Sequence, residues 1–205
     1  RLLERGLLPC LSLLGVEASR WSMLWDALAA DPDGDRHTQP WHDEFDLDLP
    51  LELDAGERDE LADGLSEALA KANVELVAVR SRAIFPGRFN TLVARHGNKA
   101  TALSRTTLGL LAELLDDFSD KGVPREPVVA VCDKHGGRNR YRQLLQEQFP
   151  DWLVEVGGES RERSAYRIGP REARVEVSFQ TEGESNLPTA LASMASKYLR
   201  ELAMR

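Results

Sequence analysis

The sequence predicts an α/β fold, a mixed sheet flanked by helices, and three observations carry that expectation. A short unbroken apolar run led by a proline, Pro127 to Cys132 (PVVAVC), has the length and β-branched content of a strand buried on both faces, as in a largely parallel central sheet. Three more strand-like runs follow it: Trp152 to Val156, Ser164 to Ile168 and Arg174 to Phe179. Segments with helical spacing of apolar residues lie before, between and after these runs, and helices interleaved with strands around one sheet define the class. The chain has 205 residues, 42% hydrophobic and 29% charged, a balance that suits a packed globular core and argues against general disorder. No run of about 18 apolar residues occurs, so no membrane-spanning helix is expected.

Taken in order, Arg1 to Leu14 carries Leu3, Leu7, Leu11 and Leu14 on one helical face, and Ser19 to Ala30 carries Trp21, Leu24, Trp25 and Leu28. Asp31-Pro32-Asp33-Gly34-Asp35 breaks the pattern and opens an acidic loop. Asp46 to Leu53 alternates, but Pro50 at its centre limits it to an edge or extended segment. Glu57 to Ala72 reads as an amphipathic helix and Val74 to Phe85 (VELVAVRSRAIF) as a strand ended by Pro86-Gly87. A short helix around Phe89 to Arg95 and a longer one from Lys99 to Phe118 follow, separated by Gly97-Asn98. After Cys132 come Asp133-Lys134-His135-Gly136-Gly137 and a helix from Arg138 to about Phe149. Gly169-Pro170 turns the last two strands into a hairpin, and the final helix runs from Leu187, with Asn186 as its cap and Pro188 in its first turn. The chain therefore divides into a helical and acidic elaboration over residues 1–73 and an α/β core over 74–205. The opening Arg1-Leu2-Leu3-Glu4-Arg5 has neither an initiator Met nor a signal-peptide pattern, and the close stops inside a helical pattern, so the sequence reads as trimmed at both ends.

The formal net charge of −8 counts against a polyanionic partner, but its distribution does not. Acids dominate Asp31 to Glu67, whereas Leu76 to Ala112 holds none and carries Arg80, Arg82, Arg88, Arg95, Lys99 and Arg105. A second acid-free basic cluster comprises Lys134, Arg138, Arg140 and Arg142. Local field rather than net charge steers a polyanion, although a solvated face balanced by the acidic segment would give the same pattern. Cys10 and Cys132 stand far apart inside apolar runs, which is neither a disulfide framework nor a zinc spacing, and suits buried free thiols in a reducing cytoplasm.

Asp133 is the most informative residue. It ends a strand, where open α/β sheets place their ligand sites, although the same position suits a helix cap or a partner for Arg138. Glu182 and Glu184 lie between a strand and the last helix, where the helix dipole keeps carboxylates ionised and available to a hard cation; acids are also common before helices for that reason alone. Gly136-Gly137-Arg138 has the composition of a phosphate-cradling turn at a helix start. Tyr166 stands where a ring can stack on a base or pack in the core. His96 and His135 suit proton transfer, but no Ser/His/Asp or Cys/His constellation accompanies them, so side-chain nucleophile chemistry is not expected.

These pieces together resemble the ribonuclease HII family of the ribonuclease H-like fold. The carrying residues are Asp133 at the end of Val-Val-Ala-Val-Cys and the stretch Leu187-Pro-Thr-Ala-Leu-Ala-Ser-Met-Ala-Ser-Lys197. That stretch is similar to the family's Ala-Ala-Ala-Ser-Ile-x-Ala-Lys helix, which follows an acidic residue at a strand end. Asn98-Lys99-Ala100 begins a helix comparable to one in the family, and the likeness covers Phe89 to Arg205. The family's first strand carries an Asp-Glu pair and a Gly-Arg-Gly turn, and neither occurs here. Its Asp before the last helix is replaced by Glu182 or Glu184, and Glu159, which also ends a strand, remains a candidate.

The resemblance implies a metal-dependent endonuclease that hydrolyses the RNA strand of RNA–DNA hybrids, with Mg²⁺ or Mn²⁺ as cofactor and no organic cofactor or membrane partner. Asp133, Glu182 and Glu184 would be catalytic, and Asp133, Glu159, Glu182 and Glu184 the metal ligands. Substrate contacts would come from Lys99, Lys134, Arg138, Tyr166, Ser193, Lys197 and Arg200. Without the Asp-Glu pair the chain is expected to hold metal poorly and cut slowly or not at all. Two alternatives stand beside this one: a non-catalytic nucleic-acid-binding module, and a protein-interaction domain that uses the acidic segment 31–67.

Overall fold

A computed structural model describes residues 2–28, 30–31, 34–42, 44–120 and 123–205, so Asp33 and Asp43 of the acidic segment lie outside the described residues. The chain forms two compact units, Arg1–Phe85 with Leu191–Arg205, and Pro86–Ala190. The division falls at Phe85/Pro86 rather than 73/74, and the last helix belongs to both units.

In the first unit, α1 (Leu2–Leu13) and α2 (Trp21–Ala27) bury Leu7, Leu11, Trp21, Leu24 and Trp25, the faces expected from their spacing. The unit's later part, Leu191 onward, adds Leu191, Ala195, Tyr198, Leu199 and Leu202 to the same core. Gly6 makes a close approach possible there, since a Cβ would collide with the Met194 sulfur. The segment around Pro50, expected to be extended, bends at Leu49, Leu51 and Glu52, and it pairs only locally, through an Arg20–Asp48 bridge, among the described residues. Next, α3 (Ala55–Ala72) starts two residues before the expected Glu57 because the Asp54 carboxylate caps it, accepting from Gly56 N–H at 2.8 Å.

The expected strand Val74 to Phe85 forms no ladder. It has no regular secondary structure: Val74 N–H donates to Leu69 O (2.9 Å), Ser81 N–H to Leu28 O (2.8 Å) and Ala83 N–H to Ala30 O (2.6 Å), while Leu76, Val79 and Ala83 pack on the helical core. Its β-branched and apolar content reflects burial against helices, which an unpaired segment produces as well as a strand.

Glu4 organises this unit. It is 1% exposed, yet its carboxylate accepts the N–H groups of Leu51 (2.6 Å), Glu52 (3.0 Å) and Leu53 (3.0 Å) and the Tyr198 hydroxyl (2.7 Å). Burial alone would raise its pKa; the bonds from Leu51, Tyr198, Glu52 and Leu53 outweigh that and hold it below the ordinary carboxylate value. Replacement Glu4→Gln keeps the shape but turns an amide N–H₂ toward backbone N–H donors. We expect a loss of about 2–3 kcal/mol in urea unfolding followed by fluorescence of Trp21 and Trp25. Unchanged stability would remove Glu4 from this role.

The second unit opens with α4 (Pro86–His96) and α5 (Lys99–Asp117), divided by Gly97 at φ +80° and by Asn98, whose side chain accepts from Thr101 N–H at 2.8 Å. A small antiparallel pair, β1 (Ser119–Asp120) and β2 (Val123–Pro124), leads to β3 (Val128–Asp133). Then come α6 (Arg142–Gln148), β4 (Glu155–Glu159), β5 (Arg163–Ile168), β6 (Val175–Gln180) and α7 (Leu187–Ala203). The main sheet has the order β3-β6-β5-β4, with β3 parallel to β6 and the other pairs antiparallel. It is a mixed sheet in an α/β chain.

One sheet face carries Val128, Ala130 and Cys132 of β3, Tyr166 and Ile168 of β5, and Val175, Val177 and Phe179 of β6. These pack with Leu108 and Leu115 of α5 and Leu144 and Leu145 of α6. Two expectations need correction. β3 is an edge strand rather than one buried on both faces, with Val129 71% exposed on the far side. The helix expected from Arg138 begins at Arg142, so Gly136-Gly137-Arg138 is a turn remote from a helix start and provides no helix-end phosphate cradle.

Candidate functional site

Asp133 is the last residue of β3 and pairs with Gln180, the last of β6. Because the two strands run in parallel, the chain leaving β6 passes beside the end of β3, and that exit loop carries Glu182 and Glu184. Strand alternation places Asp133 with Val129 and Val131 on the face turned away from α5 and α6. Its Oδ1 accepts the Gly183 N–H at 3.0 Å, while the residue itself is exposed. Thr189, at the start of α7, donates to Val131 O at 3.2 Å and ties that helix's first turn to the same strand.

The loop is built tightly around this carboxylate. Glu182 adopts the left-handed region, φ +61°, which costs a non-glycine residue about 1 kcal/mol or more. Gly183 is buried, and a Cβ there would stand 2.5 Å from Asp133 Oδ1 and 3.1 Å from Thr189 Cγ2. Glycine is the residue that lets the backbone approach this closely. Glu182 and Glu184 both point to solvent-accessible positions.

Glu159 does not join them. It ends β4, three strands from β3, which at about 4.8 Å per strand is roughly 14 Å of backbone separation. Its carboxylate accepts from the Tyr166 hydroxyl at 2.5 Å and faces Arg140 Nε at 3.8 Å. Two carboxylates so separated cannot share one cation, and Glu159 belongs to the arginine-lined side of the unit.

Several expected substrate contacts have other duties. Lys134 donates to Asn139 Oδ1 (2.8 Å), Ser160 O (2.7 Å) and Ser164 Oγ (3.1 Å), which uses all three ammonium protons to clamp the turn after β3 onto the β4–β5 hairpin. Tyr166 is 1% exposed, with its hydroxyl accepting Tyr141 N–H and donating to Glu159, so no ring face is open for a base. Arg138 donates to Thr101 Oγ1 at 2.6 Å, and Lys99 is exposed at the start of α5. Ser193, Lys197 and Arg200 lie on the portion of α7 in the first unit; Ser193 is half-buried, and Lys197 and Arg200 are exposed.

His135 is buried beside this end of the sheet, between the hydroxyls of Ser104 (2.8 Å to Nδ1) and Thr107 (3.3 Å to Nε2), and its backbone N–H donates to the Tyr141 hydroxyl. Burial first, and then the Arg138 charge, lower its pKa to about 4, against an opposing effect of Asp133. The Cys132 thiol is pushed up to about 11 by burial and by Asp133, so it is a neutral, unreactive thiol at physiological pH.

The oxygen-only donors at Asp133, Glu182 and Glu184 have the chemistry a hard divalent cation takes, but among the described residues no three His, Cys, Asp or Glu side chains are grouped to cage one.

Sequence reasoning passed over Arg105, Arg140 and Arg142 as site residues. With Thr101, Arg138, Glu147, Val156 and Glu159 they line a cleft of about 620 Å³ between α5, α6 and β4. The signal was present in the two acid-free basic stretches, but only the α5–α6 packing brings Arg105 to Arg138. Comparisons with protein-family models, curated proteins and solved structures gave no match.

Two measurements test this geometry. Gly183→Ala is expected to cost about 1–3 kcal/mol by driving Cβ into the carboxylate. Most of that cost should vanish in an Asp133→Ala background, as a double-mutant cycle reads directly; additive effects would contradict the contact. For His135, the folded pKa lies below the unfolded value, so unfolded chains take up the proton first as pH falls. Stability should drop between pH 6.5 and about 4, by about 3 kcal/mol at most. His135→Gln should flatten that part of the stability–pH curve; an unaltered slope would assign it elsewhere.

Proposed function

We propose that this chain is a ribonuclease HII-like phosphodiester hydrolase acting on the RNA strand of RNA–DNA hybrids, with Asp133 as its central carboxylate and Glu182 and Glu184 as the acids beside it. The observation that carries the reading is the Gly183 N–H to Asp133 hydrogen bond, which joins the carboxylate at one strand end to the loop holding the two glutamates. That is the juxtaposition a strand-end ligand site requires. It also agrees with the residues from which the resemblance was read.

In this proposal the Gly183 N–H fixes the Asp133 rotamer through Oδ1, leaving Oδ2 to the ligand. A bound Mg²⁺ or Mn²⁺ would supply an activated water and neutralise charge on the leaving oxygen. Asp133, with Glu182 or Glu184 beside it, would hold such an ion only together with a substrate phosphate, and turnover would be slow. Ribose 2′-hydroxyls provide the feature by which an RNA strand is told from DNA.

The test is hydrolysis of an end-labelled RNA–DNA hybrid by the full chain with Mg²⁺ or Mn²⁺. We expect slow cleavage of the RNA strand that chelator abolishes and that Asp133→Asn reduces by about 10²-fold or more, the scale of an electrostatic contribution to a developing charge. Equal rates for parent and Asp133→Asn would overturn the assignment.

A second reading, binding of hybrids without cleavage, is favoured by the lack of a three-ligand group among the described residues. It predicts retention of a hybrid in chelator with no hydrolysis under any metal.

A further inference from the structure

We infer that the cleft between α5, α6 and β4 is a seat for a nucleic-acid phosphodiester backbone, apart from the Asp133 end of the sheet. The inference rests on the nucleic-acid partner in the reading above, but not on cleavage.

Four arginines and two glutamates line this cleft, so its field is net positive in a chain whose net charge is −8. The arginines come from three pieces of structure: Arg105 from α5, Arg138 and Arg140 from the loop after β3, and Arg142 from α6. Glu147 holds the Arg105 guanidinium in an ion pair and is itself tied by Gln143 Nε2 at 2.8 Å. Thr101 holds Arg138. In both arginines Nε is shielded from solvent and donates to no protein acceptor among the described residues. Arg140 is 90% exposed, with only a loose approach to Glu159, and Arg142 is exposed with no ion pair among the described residues. Two arginines are thus pre-oriented by protein groups, and two are exposed donors lining the same cleft.

That division suits a chain of phosphates. Guanidinium forks match phosphate oxygens in pairs, and four of them on one wall engage successive groups rather than a single anion. Leu144 and Val156, the latter 47% exposed, give the floor an apolar surface against which sugar rings can lie. An acidic peptide offers carboxylates on flexible stems without a regular repeat, so the backbone of a nucleic acid is the better match. Contacts of this kind fix position rather than sequence. The cleft would thus grip a strand while the Asp133 end meets the ligand separately.

The experiment measures binding of a short RNA–DNA hybrid to the full chain in chelator, across a salt series, in an Asp133→Asn background so that cleavage plays no part. Arg140→Ala/Arg142→Ala should weaken binding about tenfold and lower the salt slope by about one for each arginine removed. Arg142→Ala alone, which breaks no ion pair among the described residues, should lower the slope by about one with unchanged thermal melting. Glu147→Gln should tighten binding a few-fold by freeing Arg105, a change of sign that unfolding cannot imitate. Absence of hybrid binding by the parent, or an affinity and slope untouched by both arginine variants, would overturn the inference. A polyglutamate peptide binding with the same arginine dependence and equal strength would overturn it in favour of a protein partner. Binding that behaves as expected while no cleavage is ever seen leaves this inference standing and removes only the hydrolase reading.

Discussion

The parallel pairing of β3 with β6 is the constraint on which the candidate site depends. In an antiparallel neighbour, the chain leaving β6 would emerge at the opposite end of β3, and Asp133 would face bare solvent. Running in parallel, both strands finish together, with Asp133 opposite Gln180 and the exit loop alongside. A loop brought that close must let backbone meet side chain. Gly183 does this by presenting its N–H and no Cβ, and Glu182 takes up the left-handed conformation that turns the chain. A local strain of this kind persists where the surroundings over-determine it.

Beneath that end of the sheet, polar side chains are satisfied one by another. Tyr141 stacks on Phe179 at 3.6 Å between ring centroids, its hydroxyl accepts His135 N–H, and its own N–H donates to the Tyr166 hydroxyl, which donates in turn to Glu159. Lys134 spans from the turn after β3 to the hairpin opposite. The turn carrying His135 through Asn139 has no regular secondary structure, so side chains must supply the partners its backbone lacks. A polar network with its members paired specifies one arrangement, whereas a half-paired one would destabilise it. The two glycines of that turn are exposed, and its order comes from His135, Lys134 and Tyr141 rather than from a helix start.

The sequence made the helices and the order of strands legible because period and caps are local. Asp54, Asn98 and Gly97 mark helix boundaries by chemistry that acts within one turn. It misplaced what depends on distant partners. PVVAVC is apolar on both faces, yet β3 has a single sheet neighbour, and no local pattern reveals how many neighbours a strand will find. Val74 to Phe85 is rich in apolar and β-branched residues because Leu76, Val79 and Ala83 pack on helices, and among the described residues it forms no ladder that would make it a strand. Tyr166 and Lys134 had the chemistry of nucleic-acid contacts, but topology buried the ring and consumed the ammonium. The arginines of the cleft were visible as two basic clusters; their convergence was not, since it required α5 to pack against α6.

Two carboxylates show how the same group is assigned opposite uses by its surroundings. Glu4 is nearly inaccessible and accepts four hydrogen bonds, three from backbone and one from Tyr198, so its charge is fully spent within the first unit. A buried carboxylate so satisfied has no oxygen lone pairs oriented toward a ligand, and its value is structural. Asp133 is exposed, accepts one N–H, and is held by that single bond in a fixed direction. An exposed carboxylate needs no such anchor for stability, because water would serve it as well. A glycine that admits no Cβ and a glutamate in a costly conformation are nonetheless committed to holding it. The cost falls on the loop while the oriented oxygen is left available, and the role proposed for Asp133 rests on that asymmetry.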